Sequence, residues 1–152
     1  MSGAADSFIS STYWTESVGP VAALATIGKF QGIDVPGHVR RIGTAFREGL
    51  LQLGAAHDVP VHVVGHPQLT TFSFDLPQHL ALATLFTVRM LDHEILSGNA
   101  FYPTWSHQET HLARYMAAAN TVFAELREAI QSGDAERRIG GLVKHSGFRR
   151  LN

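Results

Sequence analysis

The sequence contains no cysteine among its 152 residues, which excludes disulfide bonds, thiolate nucleophiles and thiolate metal sites. It also lacks a long uncharged apolar run, and a membrane-spanning helix needs about 18 to 20 such residues. The first seven residues carry neither the basic segment nor the apolar core of a signal peptide. We therefore expect a cytoplasmic protein without a membrane partner.

The charge balance is nearly even, with 12 basic and 13 acidic side chains and a formal net charge of -1. No chain-wide electrostatic field is present to recruit a polyanion, so we expect no nucleic-acid partner. Hydrophobic residues make up 45% of the sequence, which is enough to bury the core of one globular domain.

Two catalytic motifs are also missing. No glycine-rich phosphate cradle of the GxxxxGK type occurs, and no G-x-S-x-G nucleophile elbow occurs.

His107 and His111 are four residues apart, as metal ligands on one helix face can be. The zincin order H-E-x-x-H is not met, because Gln108 follows the first histidine, and Glu109 is interpreted as the capping-box partner of Ser106. We predict no metal site.

Hydrophobic periodicity predicts alternating helices and short strands. Strand or extended segments are predicted over 8–14, 59–64, 69–74 and 100–103, and helices over 17–30, 38–56, 78–96 and from the capping box of Ser106 to Gly133. Gly98 and Asn99 are interpreted as the residues that end the third helix. The pattern predicts an α+β fold, with a small and mostly antiparallel sheet covered by helices and preceded by a long bracing helix.

A run of hydroxyl residues, Ser10, Ser11 and Thr12, precedes the first predicted helix. Hydroxyl donors and free backbone N–H groups near a helix start can bind a phosphate. The same residues alone are a weak signal for a phosphate, and the alternative that they favour is a purely structural role as strand-end and helix-capping hydroxyls. On the residues alone both interpretations stay open.

Residues 8–16, followed by the alanine-rich segment 19–27, resemble the segment after the lysine-bearing strand of class III aminotransferases. These are fold-type I enzymes that use pyridoxal 5'-phosphate. The stretch from Phe101 to Glu109 is similar to the extended segment and helix start of that family, and 144–151 is similar to tails in its glutamate-1-semialdehyde 2,1-aminomutase-like branch. The resemblance covers essentially the whole chain.

The resemblance implies a C-terminal portion of such an enzyme. Residues 1–36 would be the end of the large cofactor-binding domain and a linking helix, and residues 37–152 the small α+β domain. Thr12 would reach the cofactor phosphate of the neighbouring subunit in a homodimer, and Ser11 would add a donor. The complete enzyme would transfer an amino group between a small-molecule amino donor, an amino acid or amine, and a carbonyl acceptor.

Departures from the family pattern set the remaining expectations. The two lysines, Lys29 and Lys144, lack the small-residue setting of a Schiff-base lysine, so we expect the chain alone to be inactive. We also expect an exposed apolar face around Phe8, Tyr13, Trp14 and the first helix. The alternative is a stand-alone, non-catalytic α+β module that binds a ligand or a protein partner.

Overall fold

A computed structural model of the chain describes residues 16–147. The chain divides into two compact units, Met1–Val35 and Pro36–Asn152. The extended segment that the sequence predicts over 8–14 lies outside the described residues. Among the helices in the described part, none combines the length and the apolar character that crossing a membrane requires.

The described part of the first unit is one helix, α1, over Val18–Gly32. Pro20 lies in its first turn, where a missing N–H costs no hydrogen bond. Apolar side chains occur on every side of the helix, and Lys29 is its only charged residue. None of its residues is buried, and the exposed large side chains are Val18, Val21, Leu24, Ile27 and Phe30. The expected apolar exposure is therefore confirmed for this helix, whereas Phe8, Tyr13 and Trp14 lie outside the described residues.

The described part of the second unit contains four helices and a three-stranded sheet. Its elements are α2 (Val35–His57), β1 (Val61–Val64), a 3-10 turn (Pro67–Leu69), β2 (Thr70–Phe74), α3 (His79–Asp92), β3 (Ala100–Phe101), α4 (Glu109–Ser132) and α5 (Ala135–Ile139). The strand order is β1-β2-β3, and both pairings are antiparallel. The predicted α+β class is confirmed.

The core of this unit forms on one face of β2. Phe72 and Phe74 alternate with the exposed Ser73, so both phenyl rings point to the same side of the sheet. Phe86 of α3 meets Phe72 edge-on at a centroid distance of 5.5 Å, and Phe123 of α4 meets Phe86 edge-on at 6.1 Å. All four rings are buried. These edge-to-face contacts join the sheet to two helices.

Helix α2 begins three residues earlier than the sequence predicts. Pro36 and Gly37 are residues that often interrupt a helix, and the predicted helix therefore starts after them, yet both lie in the first turn of α2. A proline at this position removes an N–H that has no partner inside the helix, and its fixed φ suits helical geometry. The prediction was wrong because a proline disrupts only the interior of a helix.

Helix α3 ends four residues earlier than predicted. After Asp92 the N–H of Glu94 donates to the carbonyl of Leu91 at 2.8 Å, and the N–H of Ile95 donates to the carbonyl of Met90 at 3.0 Å. This is a Schellman ending, with Glu94 in the left-handed conformation at φ 62°. The prediction that Gly98 and Asn99 end the helix was therefore wrong.

Helix α4 has a different cap from the predicted one. The N-cap is Gln108 and not Ser106, and its reciprocal partner is His111 and not Glu109. The Gln108 side chain binds the backbone of His111, and the N–H of Gln108 donates to His111 Nδ1 at 3.1 Å. Gly133 ends the helix in the left-handed conformation, as predicted.

The sequence analysis missed a short helix, α5, in the tail. Asp134 precedes it, and its carboxylate binds Arg137 and Arg138. Hydrogen bonds from Arg137 and then Arg138 hold the pKa of Asp134 below its usual range. Arg138 also donates to Glu128 of α4 at 3.1 Å, which ties the tail to the preceding helix.

A close approach between α2 and the 3-10 turn gives the first testable prediction. A Cβ at Gly43 would overlap the backbone carbonyl of Pro67, which cannot move without shifting the turn. We expect Gly43→Ala to lower the free energy of unfolding by about 1–3 kcal/mol, measured by urea denaturation.

Gly49 of the same helix is the matched control. A Cβ there would lie 2.7 Å from the sulfur of Met116, the flexible end of a side chain that can move. We expect Gly49→Ala to cost clearly less than Gly43→Ala, since replacing a helical glycine also adds about 0.5–1 kcal/mol of stability. Equal losses would contradict the close-approach argument.

Candidate functional site

The two predicted cofactor-binding residues, Thr12 and Ser11, lie outside the described residues, and their role stays a prediction. The described part of the second unit contains a different candidate site. It lies where α2, β3 and the start of α4 meet the loop that follows α3. Two histidines that the sequence analysis singled out, His107 and His111, are part of it.

Buried His38 of α2 anchors the loop before α4. Its Nε2 lies 2.8 Å from the carbonyl oxygen of His107, and its ring packs against Trp105 at a centroid distance of 4.8 Å. Arg41 donates to His38 Nδ1 at 3.1 Å. A carbonyl can only accept and a guanidinium can only donate, so His38 is the neutral tautomer with its proton on Nε2. This pair of hydrogen bonds fixes the position of His107.

The loop and the helices enclose a cavity of about 360 Å³. Its apolar wall includes Ile42 and Phe46 of α2, Phe101 of β3 and Leu112 of α4. The polar and charged groups around it are Glu94, Ser97, His107, Gln108, His111, Arg114 and Tyr115. This size and this mixture of an apolar wall with a few polar groups are typical of small-molecule sites.

A half-buried phenol lies on one side of the cavity. Tyr115 Oη and Ser97 Oγ are 2.9 Å apart, and Ser97 Oγ is also 3.2 Å from the carbonyl of Gly98. Burial raises the pKa of Tyr115 to about 12, and the hydrogen bond with Ser97 opposes that rise. The phenol is therefore neutral at physiological pH and offers a hydroxyl group to the cavity.

His107 and His111 are also fixed as single tautomers. The backbone N–H of Thr104 donates to His107 Nδ1 at 3.0 Å, and that of Gln108 donates to His111 Nδ1 at 3.1 Å. A ring nitrogen that accepts a hydrogen bond carries no proton, so each neutral imidazole carries its proton on Nε2. Across residues 16–147 no group of three His, Cys, Asp or Glu side chains is placed to hold a metal ion.

The sequence analysis does not single out four polar residues of the cavity: Glu94, Ser97, Arg114 and Tyr115. Glu94 and Ser97 lie within or beside the end that the sequence predicts for the third helix. Arg114 and Tyr115 lie within the last predicted helix, where no motif marks them. A helix end at Asp92 would have placed 93–99 in a loop beside β3, but no local signal in the sequence marks that end.

The cavity does not fit pyridoxal 5'-phosphate. No lysine is among the side chains around the cavity, and Arg114, its one guanidinium, is paired with Glu94 at 3.0 Å. Lys29 and Lys144 are exposed and lie outside it. A Schiff base requires a lysine, and a phosphate dianion requires several donors without a facing carboxylate. We therefore derive no chemical step through this cofactor from residues 16–147.

The raised pKa of Tyr115 predicts a pH dependence of stability. Folding favours the neutral phenol, so its contribution is complete below about pH 10, the usual pKa, and is lost as the pH rises to about 12. We expect a loss of about 2–3 kcal/mol over this interval. Urea unfolding at several alkaline pH values should show a smaller fall in the free energy of unfolding for Tyr115→Phe than for the unchanged protein. Parallel curves would contradict this assignment.

The left-handed backbone conformation of Glu94 leads to a further prediction about stability. A glycine adopts this conformation without the clash of a Cβ, so Glu94→Gly should raise the free energy of unfolding by about 1 kcal/mol. The ion pair with Arg114 is exposed and offsets little of this gain. Asp58, at φ 53°, is the control, since aspartate tolerates this conformation better and Asp58→Gly should gain less. A lower stability of Glu94→Gly would contradict the prediction.

Comparisons with known proteins find partial homology to a transaminase. The chain is 35% identical over 113 residues to the 2'-deamino-2'-hydroxyneamine transaminase of Streptomyces kanamyceticus. The matched segment is 71% of this chain and 29% of that enzyme. No protein-family model matches the chain.

The fold is similar to part of a solved structure, the pyridoxal-phosphate internal aldimine form of the FumI protein of Sphingopyxis sp. MTA144. The TM-score is 0.73 at 16% identity, and the match covers 86% of this chain and 32% of that one. This likeness concerns the fold alone. The chain thus spans less than a third of either protein, is partly homologous to a transaminase, and has the fold of part of a pyridoxal-phosphate enzyme.

Proposed function

We propose that the chain is the C-terminal part of a pyridoxal-phosphate-dependent transaminase or aminomutase of class III. The complete protein transfers an amino group between an amino acid or amine and a carbonyl compound. The observation that carries this proposal is the 35% identity to a transaminase over 113 residues. An identity of this size over most of the chain favours descent from that class of enzyme.

The structure of α1 supports a role within a larger protein. A helix that is apolar on every side is ordinarily covered by protein on every side. None of the residues of α1 is buried, and its exposed side chains include Val18, Leu24 and Ile27, at 68%, 70% and 55%. Covering them with protein would remove a large apolar surface from water.

The proposal divides the functions between this chain and the rest of the enzyme. Pyridoxal phosphate, when bound, supplies the electron sink for amino transfer. The lysine that carries it belongs to the rest of the enzyme, because neither Lys29 nor Lys144 has a suitable setting. Thr12 and Ser11 bind the cofactor phosphate across the subunit interface of a homodimer. The chain alone is therefore inactive.

A chimeric enzyme tests this proposal. The chain replaces the corresponding C-terminal segment of the Streptomyces kanamyceticus transaminase, and the truncated transaminase without a replacement is the control. We expect the chimera to regain amino transfer and a Schiff-base absorbance at about 410–430 nm, while the truncated enzyme shows neither. Within the chimera, Thr12→Ala should weaken cofactor retention more than Ser10→Ala.

Two outcomes would contradict the proposal. One is a lysine-dependent absorbance band from the 152-residue chain mixed with pyridoxal phosphate, abolished by the Lys29→Ala and Lys144→Ala pair. The other is a chimera that folds and binds the cofactor but does not transfer amino groups. In the first case the chain would be a complete binding module, and in the second its relation to transaminases would not extend to function.

A further inference from the structure

The cavity beside Tyr115 has two neutral donors at fixed positions. Nδ1 of both His107 and His111 accepts a backbone N–H, so only Nε2–H of each ring can donate to a ligand. His107 is additionally held through its carbonyl by His38, and His111 through its place in the cap of α4. Donors that are already oriented lose little freedom when a ligand binds.

The cavity has two charged side chains, one acidic and one basic. Glu94 and Arg114 meet at 3.0 Å through Oε2, and their side chains are 86% and 61% exposed. Such an exposed pair is worth at most about 1 kcal/mol, so a ligand that carries both charges can replace it without a net loss. A ligand with a single charge would leave one member of the pair without its partner.

Glu94 occupies a position where the backbone favours glycine. It is the left-handed residue of the Schellman ending of α3, and its φ is 62°. A glutamate at this position costs about 1–2 kcal/mol relative to an unstrained backbone. Its side chain borders the cavity, so a ligand that binds the carboxylate gives a physical reason for an acidic residue here.

The remaining wall of the cavity is apolar. The rings of Phe46 and Phe101 stack at a centroid distance of 4.2 Å, and Ile42 and Leu112 border the same space. Phe101 and Leu112 are the partly exposed members of this wall, and an aliphatic or aromatic group of a ligand would leave water on contact with them, at about 25 cal/mol for each Å² buried. A ligand with an apolar end therefore fits better than a fully polar one.

We propose that this cavity binds a free α-amino acid with an apolar side chain, as a zwitterion. The ligand carboxylate accepts from Nε2–H of His107 and His111 and from Arg114. Its ammonium group donates to Glu94, and its side chain packs on Phe101 and Leu112. Every polar group used here has the sign and the donor or acceptor role that the amino acid requires. The test of this site needs no cofactor.

The test is calorimetric titration of the 152-residue chain with L-leucine and three related probes. 4-Methylpentanoate lacks the ammonium group, L-leucinamide lacks the carboxylate, and L-glutamate lacks the apolar side chain. We expect L-leucine to bind, and each probe to bind at least about tenfold more weakly, because each loses a charge-assisted hydrogen bond or the apolar contact. Equal binding of 4-methylpentanoate and L-leucine would overturn the proposal, as would no binding of L-leucine at millimolar concentration.

A pair of isosteric variants identifies the site. Glu94→Gln should weaken L-leucine binding at least about tenfold without weakening the binding of 4-methylpentanoate, because only the ammonium partner is lost and Arg114 becomes free for a carboxylate. Asp58→Asn is the matched control, since Asp58 is also a left-handed acidic residue paired with an arginine but lies outside this cavity. Equal effects of the two variants would overturn the assignment. The titration with amino acids and the chimeric-enzyme experiment are independent. A negative titration therefore contradicts the amino-acid site but not the proposed transaminase function.

Discussion

The ring of Phe46 joins the core of the second unit to the wall of the cavity. It lies 6.5 Å from Phe72 of the central strand, 4.2 Å from Phe101 and 5.2 Å from Tyr115. The first contact belongs to the core that holds the sheet against the helices, and the other two shape the cavity. The position of the cavity therefore depends on the packing of the core, and a change in α2 that displaces Phe46 would alter both.

The elements that the sequence predicts well are those set by local alternation. Phe72, Ser73 and Phe74 show the period of a half-buried strand, and Gly133 ends α4 because only a left-handed residue can do so there. The errors occur where a long-range contact or a hydrogen bond decides between local signals. Glu94 has no preference for the left-handed conformation, yet two backbone hydrogen bonds hold it there, four residues before the glycine that appeared to be the stop.

The candidate site was only partly visible in the sequence. The sequence shows the spacing of His107 and His111, which indicates only a possible metal motif. Their hydrogen-bond partners cannot be predicted from it, because those partners depend on where α4 begins. Once Gln108 is the N-cap, the backbone N–H groups reach Nδ1 of both rings and determine which nitrogen carries the proton. His38 could not be assigned at all, because its partner lies 69 residues away in the sequence. Thr12, the residue with the most direct family resemblance, lies outside the described part.

Charge explains why the cavity does not suit a phosphate dianion. A phosphate dianion at the cavity would meet the carboxylate of Glu94 and only one guanidinium, and two neutral imidazoles would not balance the repulsion. A zwitterion has no net charge, so the same groups can bind it without an excess cation. The charged and polar groups that make the cavity unsuitable for pyridoxal phosphate are thus the groups that suit a small molecule carrying one charge of each sign.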